Sequence, residues 1–359
     1  VTHSAGDNKC CEPCIVNIYL IYSPLHYLAA ESIAVHHEPV ARNVLFYLKE
    51  EFGGVVDPTR WDSSAFLPWP RFYPERGLFG RLRRATMNLE MVGSTCAGAS
   101  EIRLHTPVID TEAVNYFIQY LRRRYPTARF SVRLIPDGLL NVQRHPLGRI
   151  KELLQYCKKL RRVVCPDLDY YTFRGDRTGS DDAIVDRIYV LPGLPHEYDR
   201  SRTVEIPLMH GSTESRTLVA GNRRALVLGQ PLVAYRRFTP DDMHSVSAGM
   251  RNFIADCGID EICYKSHPRD LDREFAHPDY RELVIDGALE KHLAAEPYDL
   301  VIGVCSTALL TARMILPHSC RVVAYGLDMM KYRGERDRRN IEAPFASLGV
   351  EMVRHGAFG

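Results

Sequence analysis

Three stretches of this chain carry residue types and spacings suited to chemistry on a phosphate-activated substrate. In Cys263-Tyr264-Lys265-Ser266-His267-Pro268-Arg269 a lysine and a histidine stand two positions apart just before a proline. A histidine can change its charge near neutral pH, and the proline biases His267 toward an extended backbone that points its ring away from a sheet. In Cys305-Ser306-Thr307, followed by the helical run Ala308 to Met314, two hydroxyls sit at a helix N-terminus. Free N–H groups and the positive end of the macrodipole favour phosphate there. In Pro136-Asp137-Gly138 one carboxylate sits on a tight turn. A carboxylate, a histidine and a phosphate seat are the parts needed for metal-free transfer from a phosphate-activated donor. Each also has a purely structural use: hydrogen-bonding at a strand end for His267, helix capping for Ser306, turn formation before Gly138 for Asp137.

Such residues need strands to deliver them. Glu261 to Tyr264 reads as a strand ending at Lys265 and His267, Tyr298 to Cys305 as a buried strand leading to Ser306, and Phe130 to Ile135 as a strand stopping at Asp137. Open α/β sheets bind ligands outside the carboxyl ends of their strands. Ala225 to Leu228 is a further buried strand closing on Gly229-Gln230-Pro231. A glycine at a strand end permits close backbone approach, and for a nucleotide-activated donor this would put Gly229 and Gln230 under the nucleoside. Lys265 is placed to balance phosphate charge. At the first strand, Ile15 to Tyr22, Ser23-Pro24 supplies an N-cap and an N1 proline for a helix through about Val35. Ser23 and His26 either line an acceptor side there or, for Ser23, simply cap the helix.

At 359 residues the chain is long enough for two domains, each with its own core. Hydrophobic residues make up 45% and charged residues 25%, with mean hydropathy of -0.21, the profile of a soluble globular protein. A formal charge of +2 is too small to argue for a nucleic-acid partner. No apolar run approaches bilayer-spanning length, and Ile15 to Ile21 is too short and too far from basic residues to be a signal peptide. The ten cysteines are scattered, with Cys263 and Cys305 inside apolar strands, which suits a reducing compartment such as the cytoplasm. Cys10, Cys11 and Cys14 could form half a zinc site, but no second ligand pair with suitable spacing follows, and no metal is expected.

Along the chain, Val44 to Leu48 reads as the second strand. The section from Phe52 to Met91 holds Trp61, Trp69 and several prolines, then Arg71, Arg76, Arg81, Arg83 and Arg84. Its proline density reads as an excursion from the core. Two uses fit it: a covering loop with a solvated basic helix, or contact with an anionic lipid surface or sugar acceptor. Glu101 to Leu104 is a strand and Thr111 to Arg124 a helix. Leu147 to Val164 is a helix with an apolar line through Ile150, Leu153, Leu154, Cys157 and Leu160, and its Lys158, Lys159, Arg161 and Arg162 are expected on a solvated face, an anionic acceptor groove being their other use. The pattern weakens from Cys165 to about Ser215, and a boundary near residue 205 divides the chain into 12-205, on the acceptor side, and 206-359, on the donor side. In the second part Thr239, Pro240, Asp241 and Asp242 open a helix that stops at Gly258. Strands follow at Glu282 to Ile285, Leu300 to Val304 and Arg321 to Tyr325, with a last helix near Ile341 to Leu348. Strands alternating with helices in both halves imply an α/β chain of two Rossmann-like domains with mainly parallel sheets and a cleft between them.

Taken in order, Pro136-Asp137-Gly138, His267-Pro268 and Ser306-Thr307 resemble the acidic-acidic-Gly, HP and S-S/T motifs of the bacterial sialyltransferases, specifically the capsular polysialyltransferase group and its lipooligosaccharide relatives. Ser23-Pro24-Leu25-His26 and Leu228-Gly229-Gln230-Pro231 are similar as well. The resemblance implies a GT-B-like fold, a CMP-activated nonulosonic acid such as CMP-sialic acid as donor, a cell-surface glycan or glycolipid acceptor, inversion and no metal or other cofactor. It assigns Asp137 as general base, His267 to stabilise or protonate the departing phosphate, and Ser306 with Thr307 to hold it. Pro136 occupies the first acidic position, so Asp137 must serve in its place. Other donors, CMP-Kdo, CMP-pseudaminic acid or a UDP-sugar, fit the same cleft, as does a non-catalytic nucleotide-sugar binding protein.

Overall fold

The computed structural model describes residues 14–54, 56–138, 144, 146–207, 223–267, 269–285 and 289–356. Cys10, Cys11 and Pro268 lie outside the described residues. The chain divides into two compact units, one of Val1–Ile135, Arg144–Tyr189 and Tyr198–Val204, the other of Pro136–Gln143, Val190–Glu197 and Glu205–Gly359.

The first unit winds through β1 (Ile15–Ile21), α1 (Pro24–His36), β2 (Arg42–Tyr47), β3 (Ser63–Phe66), α2 (Gly80–Ser94), β4 (Glu101–Thr106), α3 (Glu112–Arg124), β5 (Arg129–Leu134), α4 (Arg149–Lys159), β6 (Val185–Val190) and β7 (Thr203–Glu205). Their order in the sheet is β3-β2-β1-β4-β5-β6-β7. The ladders from β3 through to β6 are parallel, with Ile18 of β1 level with Val44 of β2 and Leu104 of β4. A central parallel strand is covered on both faces, which is why β1 is an almost unbroken apolar run and is buried along nearly its whole length.

Two expectations are corrected here. The proline-rich section after Phe52 is not wholly an excursion: it contributes β3, a parallel edge strand beside β2, and α2, whose Ala85, Leu89 and Val92 are buried. Prolines flank β3 but do not enter it, as an edge strand allows. Trp61, 6% exposed, packs against Tyr19 and Tyr27 and faces no solvent. The second correction concerns α4. Its apolar line points outward, with Ile150 77% exposed and Leu153, Leu154, Cys157 and Leu160 exposed as well, and Gln155 is its one buried residue. The polar side faces the unit because it is bonded there. The Gln155 amide donates to the Phe173 carbonyl at 3.1 Å and accepts the Phe173 N–H at 2.9 Å. Lys151 reaches Asp110 at 2.8 Å, and Arg161 pairs with Glu112. Periodicity reveals that a helix has two faces, but not which of them is covered.

The second unit contains β8 (Arg224–Leu228), α5 (Pro240–Asp256), β9 (Glu261–Lys265), β10 (Arg281–Glu282), α6 (Leu289–Ala295), β11 (Leu300–Gly303), α7 (Thr307–Ile315), β12 (Arg321–Tyr325), α8 (Glu335–Leu348) and β13 (Glu351–Val353). Every ladder in the order β10-β9-β8-β11-β12-β13 is parallel. The last helix is nearly twice the length its apolar pattern indicated, and β10 is shorter and earlier than Glu282 to Ile285. Helix α5 starts as expected, with Thr239 accepting the Asp242 N–H at 3.1 Å and the Asp242 carboxylate accepting the Thr239 N–H at 3.0 Å, a reciprocal cap. Val227, Ile302, Val323, Val246, Phe253 and Phe345 are among the fully buried residues of this unit's core. Each unit by itself is Rossmann-like, and two such units in succession make the chain GT-B-like.

Candidate active site

In the second unit the chain adds β9 and β10 on one side of β8, then crosses to place β11 on the other. Strand order therefore reverses between β8 and β11, and ligands of open parallel sheets sit in the crevice outside the strand ends at that point. Lys265 pairs with Leu228, and Val227 with Ile302, so β9, β8 and β11 finish level with one another. Their continuations bring Lys265 and His267, Gly229 and Gln230, and Ser306 and Thr307 to the same end of the same sheet.

Gln230 spans the mouth of the reversal. Its carboxamide oxygen accepts the Cys305 N–H at 2.9 Å, and its Nε2 lies 3.7 Å from the Cys305 sulfur. The side chain assigned to a nucleoside thus ties the β8 loop to the β11 loop. Burial pushes the Cys305 thiol up to about 11, so it is a packed neutral group there. Gly229 also makes room within the sheet itself. A Cβ at this residue would stand 2.5 Å from the Tyr264 hydroxyl oxygen, so the close approach is by Tyr264 of β9. The Tyr264 hydroxyl in turn donates to Asp270 at 3.2 Å.

His267 is half-buried, and the geometry selects its tautomer. Its Nδ1 accepts the Arg269 N–H at 3.0 Å, which in a neutral ring leaves the proton on Nε2. Burial, with help from Arg269 and Lys265, holds this imidazole below the ordinary histidine value of 6.5, while Asp270 opposes the shift. At neutral pH the side chain is an uncharged N–H donor. Lys265 is likewise pulled down by burial, with Glu282 acting the other way. Its ammonium donates to the Ser266 carbonyl at 3.1 Å, and among the described residues no acid lies within 4.0 Å of it. A half-buried cation without a carboxylate partner favours an incoming anion. Ser306 caps α7 through the Ala308 N–H at 3.3 Å, and Thr307 is exposed at the first helical position.

Three further residues organise this end of the sheet and left no local trace in the sequence. The Glu274 carboxylate accepts the backbone N–H groups of Leu232 and Val233 at 2.7 and 3.0 Å, fixing the loop after Gln230. Burial holds that carboxyl above its ordinary value, against the lowering effect of those donors. Arg237 pairs with Asp337 of α8 at 2.5 Å. Each partner is about forty to a hundred positions away, so no spacing could announce it.

Asp137 follows β5 and is half-buried beside Gly138, whose φ of 58° suits a glycine. Its turn counts with the second unit, as does Val190–Glu197, and Pro136 and Gly138 share a small hollow with Leu191, Leu194 and His196. In the first unit Ser23 caps α1 through the His26 N–H at 3.3 Å. His26 is 2% exposed, and its Nδ1 accepts the Tyr22 N–H at 3.1 Å. Both hold the turn from β1 to α1, the capping use that the sequence offered for Ser23. Among the described residues no three histidine, cysteine or acidic side chains are grouped to hold a metal ion.

No protein-family model and no curated protein matches this chain. Among solved structures it is similar to a spinosyn rhamnosyltransferase complexed with thymidine diphosphate, at 13% identity and TM-score 0.45 over 95% of this chain and 86% of that one. It is similar to the UDP-GlcNAc 2-epimerase from Methanocaldococcus jannaschii, at 10% identity and TM-score 0.46 over 94% and 92%. A third is the glycotransferase of kitacinnamycin, at 11% identity and TM-score 0.45 over 96% and 87%. At such identities and scores the likeness carries no argument about what this chain binds.

Proposed function

We propose that the chain is an inverting, metal-independent glycosyltransferase that moves a sialic acid-like nonulosonic acid from a CMP-sugar to a hydroxyl of a glycan or glycolipid acceptor. The observation that carries this reading is the set of donors at the β8/β11 reversal: a neutral His267 with its proton on Nε2, a half-buried Lys265 ammonium with no acid within 4.0 Å among the described residues, and the start of α7 at Ser306 and Thr307. Three such groups at one end of the sheet suit an anionic leaving group. The order of Pro136-Asp137-Gly138, His267-Pro268 and Ser306-Thr307 supplies the sialyltransferase resemblance and hence the CMP donor.

In this scheme the acceptor oxygen forms a bond to the anomeric carbon as the bond from that carbon to the phosphate oxygen breaks. The electron pair leaves with CMP. The acceptor proton passes to the Asp137 carboxylate. Lys265, the His267 Nε2–H and the α7 N–H groups meet the charge that builds on the phosphate. In this reading a neutral His267 stabilises that charge through a hydrogen bond from its Nε2–H, the role that its bond to the Arg269 N–H supports.

The test is a donor panel. CMP release should require a CMP-nonulosonate, and comparison of CMP-sialic, CMP-Kdo and CMP-pseudaminic acids identifies the sugar. Turnover of UDP-sugars alone would sink the proposal. CMP binding with no transfer from any donor to any acceptor would make the protein a nucleotide-sugar binder. Asp137→Asn should abolish transfer while leaving CMP affinity within about threefold, because the base acts on the acceptor; a collapse of CMP affinity would move Asp137 to the donor side.

A further inference from the structure

We propose that α4, its 3-10 continuation Leu160–Val163, and the loop entering α2 form a docking face for an anionic membrane surface. The inference concerns the first unit and stands without the reading of the site in the second. Ile150, Leu153, Leu154, Leu160, Val163 and Val164 are all exposed on one helical stretch, Val163 by 79%. A monomer in water does not ordinarily leave so many large apolar side chains contiguous and uncovered. The inversion is built in, because Gln155, Lys151 and Arg161 hold the polar side of the helix to the body of the unit. The patch continues across the C-terminal end of α4, where Phe79, Leu82 and Met87 of the α2 region line a groove of about 420 Å³ with Val164 and Cys165. Leu78 and Phe72, in the loop ahead of α2, are exposed beside it in sequence.

Charge selects the occupant. Residues 149–164 hold six cations, Arg149, Lys151, Lys158, Lys159, Arg161 and Arg162, against the single acid Glu152. Residues 71–84 hold five arginines against Glu75. Lys151, Lys158, Arg161 and Arg162 each have an acid within 4.0 Å. Among the described residues none lies that close to Arg149 or Lys159, nor to Arg71, Arg76, Arg81 or Arg83. An apolar stripe flanked by cations fits a lipid interface, with side chains entering the acyl boundary and lysine and arginine meeting the headgroups. A symmetric second copy would bring the same cations face to face. Among the described residues no helix is long and apolar enough to cross a membrane, so the contact lies along the surface.

The experiment is flotation of the full chain with vesicles. Binding is expected to vesicles of equal phosphatidylglycerol and phosphatidylcholine at low salt, weakening as salt rises, and not to phosphatidylcholine alone. The double variant Leu153→Glu with Leu160→Glu should lower the bound fraction about tenfold or more, with melting temperature and circular dichroism unchanged because both side chains are already exposed. Val284→Glu, at an exposed apolar residue of the second unit, should bind as the original chain does. Absence of binding to the anionic vesicles, or equal binding by the double variant, would overturn the proposal. So would light scattering that reveals a dimer which the same double variant dissolves, for then the occupant is a second copy.

Discussion

At the scale of single residues the histidine is the most constrained group. Its Nδ1 already accepts the Arg269 N–H, so protonation would set two hydrogens against each other and undo the turn from Ser266 to Asp270. The folded pKa is depressed below 6.5, so the stability this ring contributes is present above 6.5 and is lost as pH falls through the lowered value. We expect the transfer rate to be level at pH 7 and to fall on the acid side with a midpoint below 6.5. If His267 acted as a protonated acid, the rate would instead decline as pH rose through that midpoint. His267→Ala should lower kcat by roughly 10² or more, whereas His267→Gln, which keeps an N–H donor, should recover part of the loss and remove the limb due to this ring. Equal rates for Ala and Gln would take hydrogen bonding by this residue out of the mechanism. Gly229 offers a packing test. Gly229→Ala drives a methyl group to 2.5 Å from the Tyr264 hydroxyl and should cost about 1 to 3 kcal/mol in denaturant melts. Adding Tyr264→Phe should restore part of it, and strict additivity of the two changes would show that the contact is not the cause.

Among the elements, α5 and α4 are opposite cases. Helix α5 is written locally: Thr239 and Asp242 cap each other, Pro240 has the fixed φ of a first helical residue, and Met243, Val246 and Met250 form one buried stripe. Thr239→Ala should therefore cost about 1 kcal/mol, seen as a lower denaturation midpoint. Helix α4 has an equally clear stripe, yet it is turned outward by partners that are distant in sequence. Gln155→Leu would lengthen its apolar face and would help a helix packed through that face. Here it leaves the Phe173 N–H and carbonyl without their partner and should cost about 1 to 3 kcal/mol. Stabilisation by Gln155→Leu would mean that α4 packs the other way round in solution. The strand ends were legible for the same reason as α5: β8, β9 and β11 are short apolar runs stopped by glycine, by a polar tripeptide and by a hydroxyl pair. The edge strand β3 was hidden because prolines on both sides carry a stronger local signal than four mixed residues.

At the scale of the whole molecule, each unit has its own sheet and buried core, so heating should reveal two transitions. CMP should raise only the transition of the second unit, by about 2.7 kcal/mol at a concentration one hundred times its Kd. A shift of the first unit alone would put the nucleotide elsewhere. If the donors at the β8/β11 reversal replace a divalent cation, a chelator should leave the rate unchanged, and strict dependence on magnesium or manganese would contradict the scheme. What the amino-acid order determined by itself was local: which of the longer apolar runs are strands, where α1, α5 and α7 begin, and which polar residues stand at strand ends. These follow from periodicity, capping and turn chemistry within a few neighbouring positions. Only the tertiary structure decided that β8 lies between β9 and β11, that Gln230 bonds to Cys305 and Glu274 to the loop beyond it, that Gly229 makes room for Tyr264, and that α4 shows its apolar side to solvent. Those outcomes depend on contacts between residues tens of positions apart, whose free energies no local pattern contains.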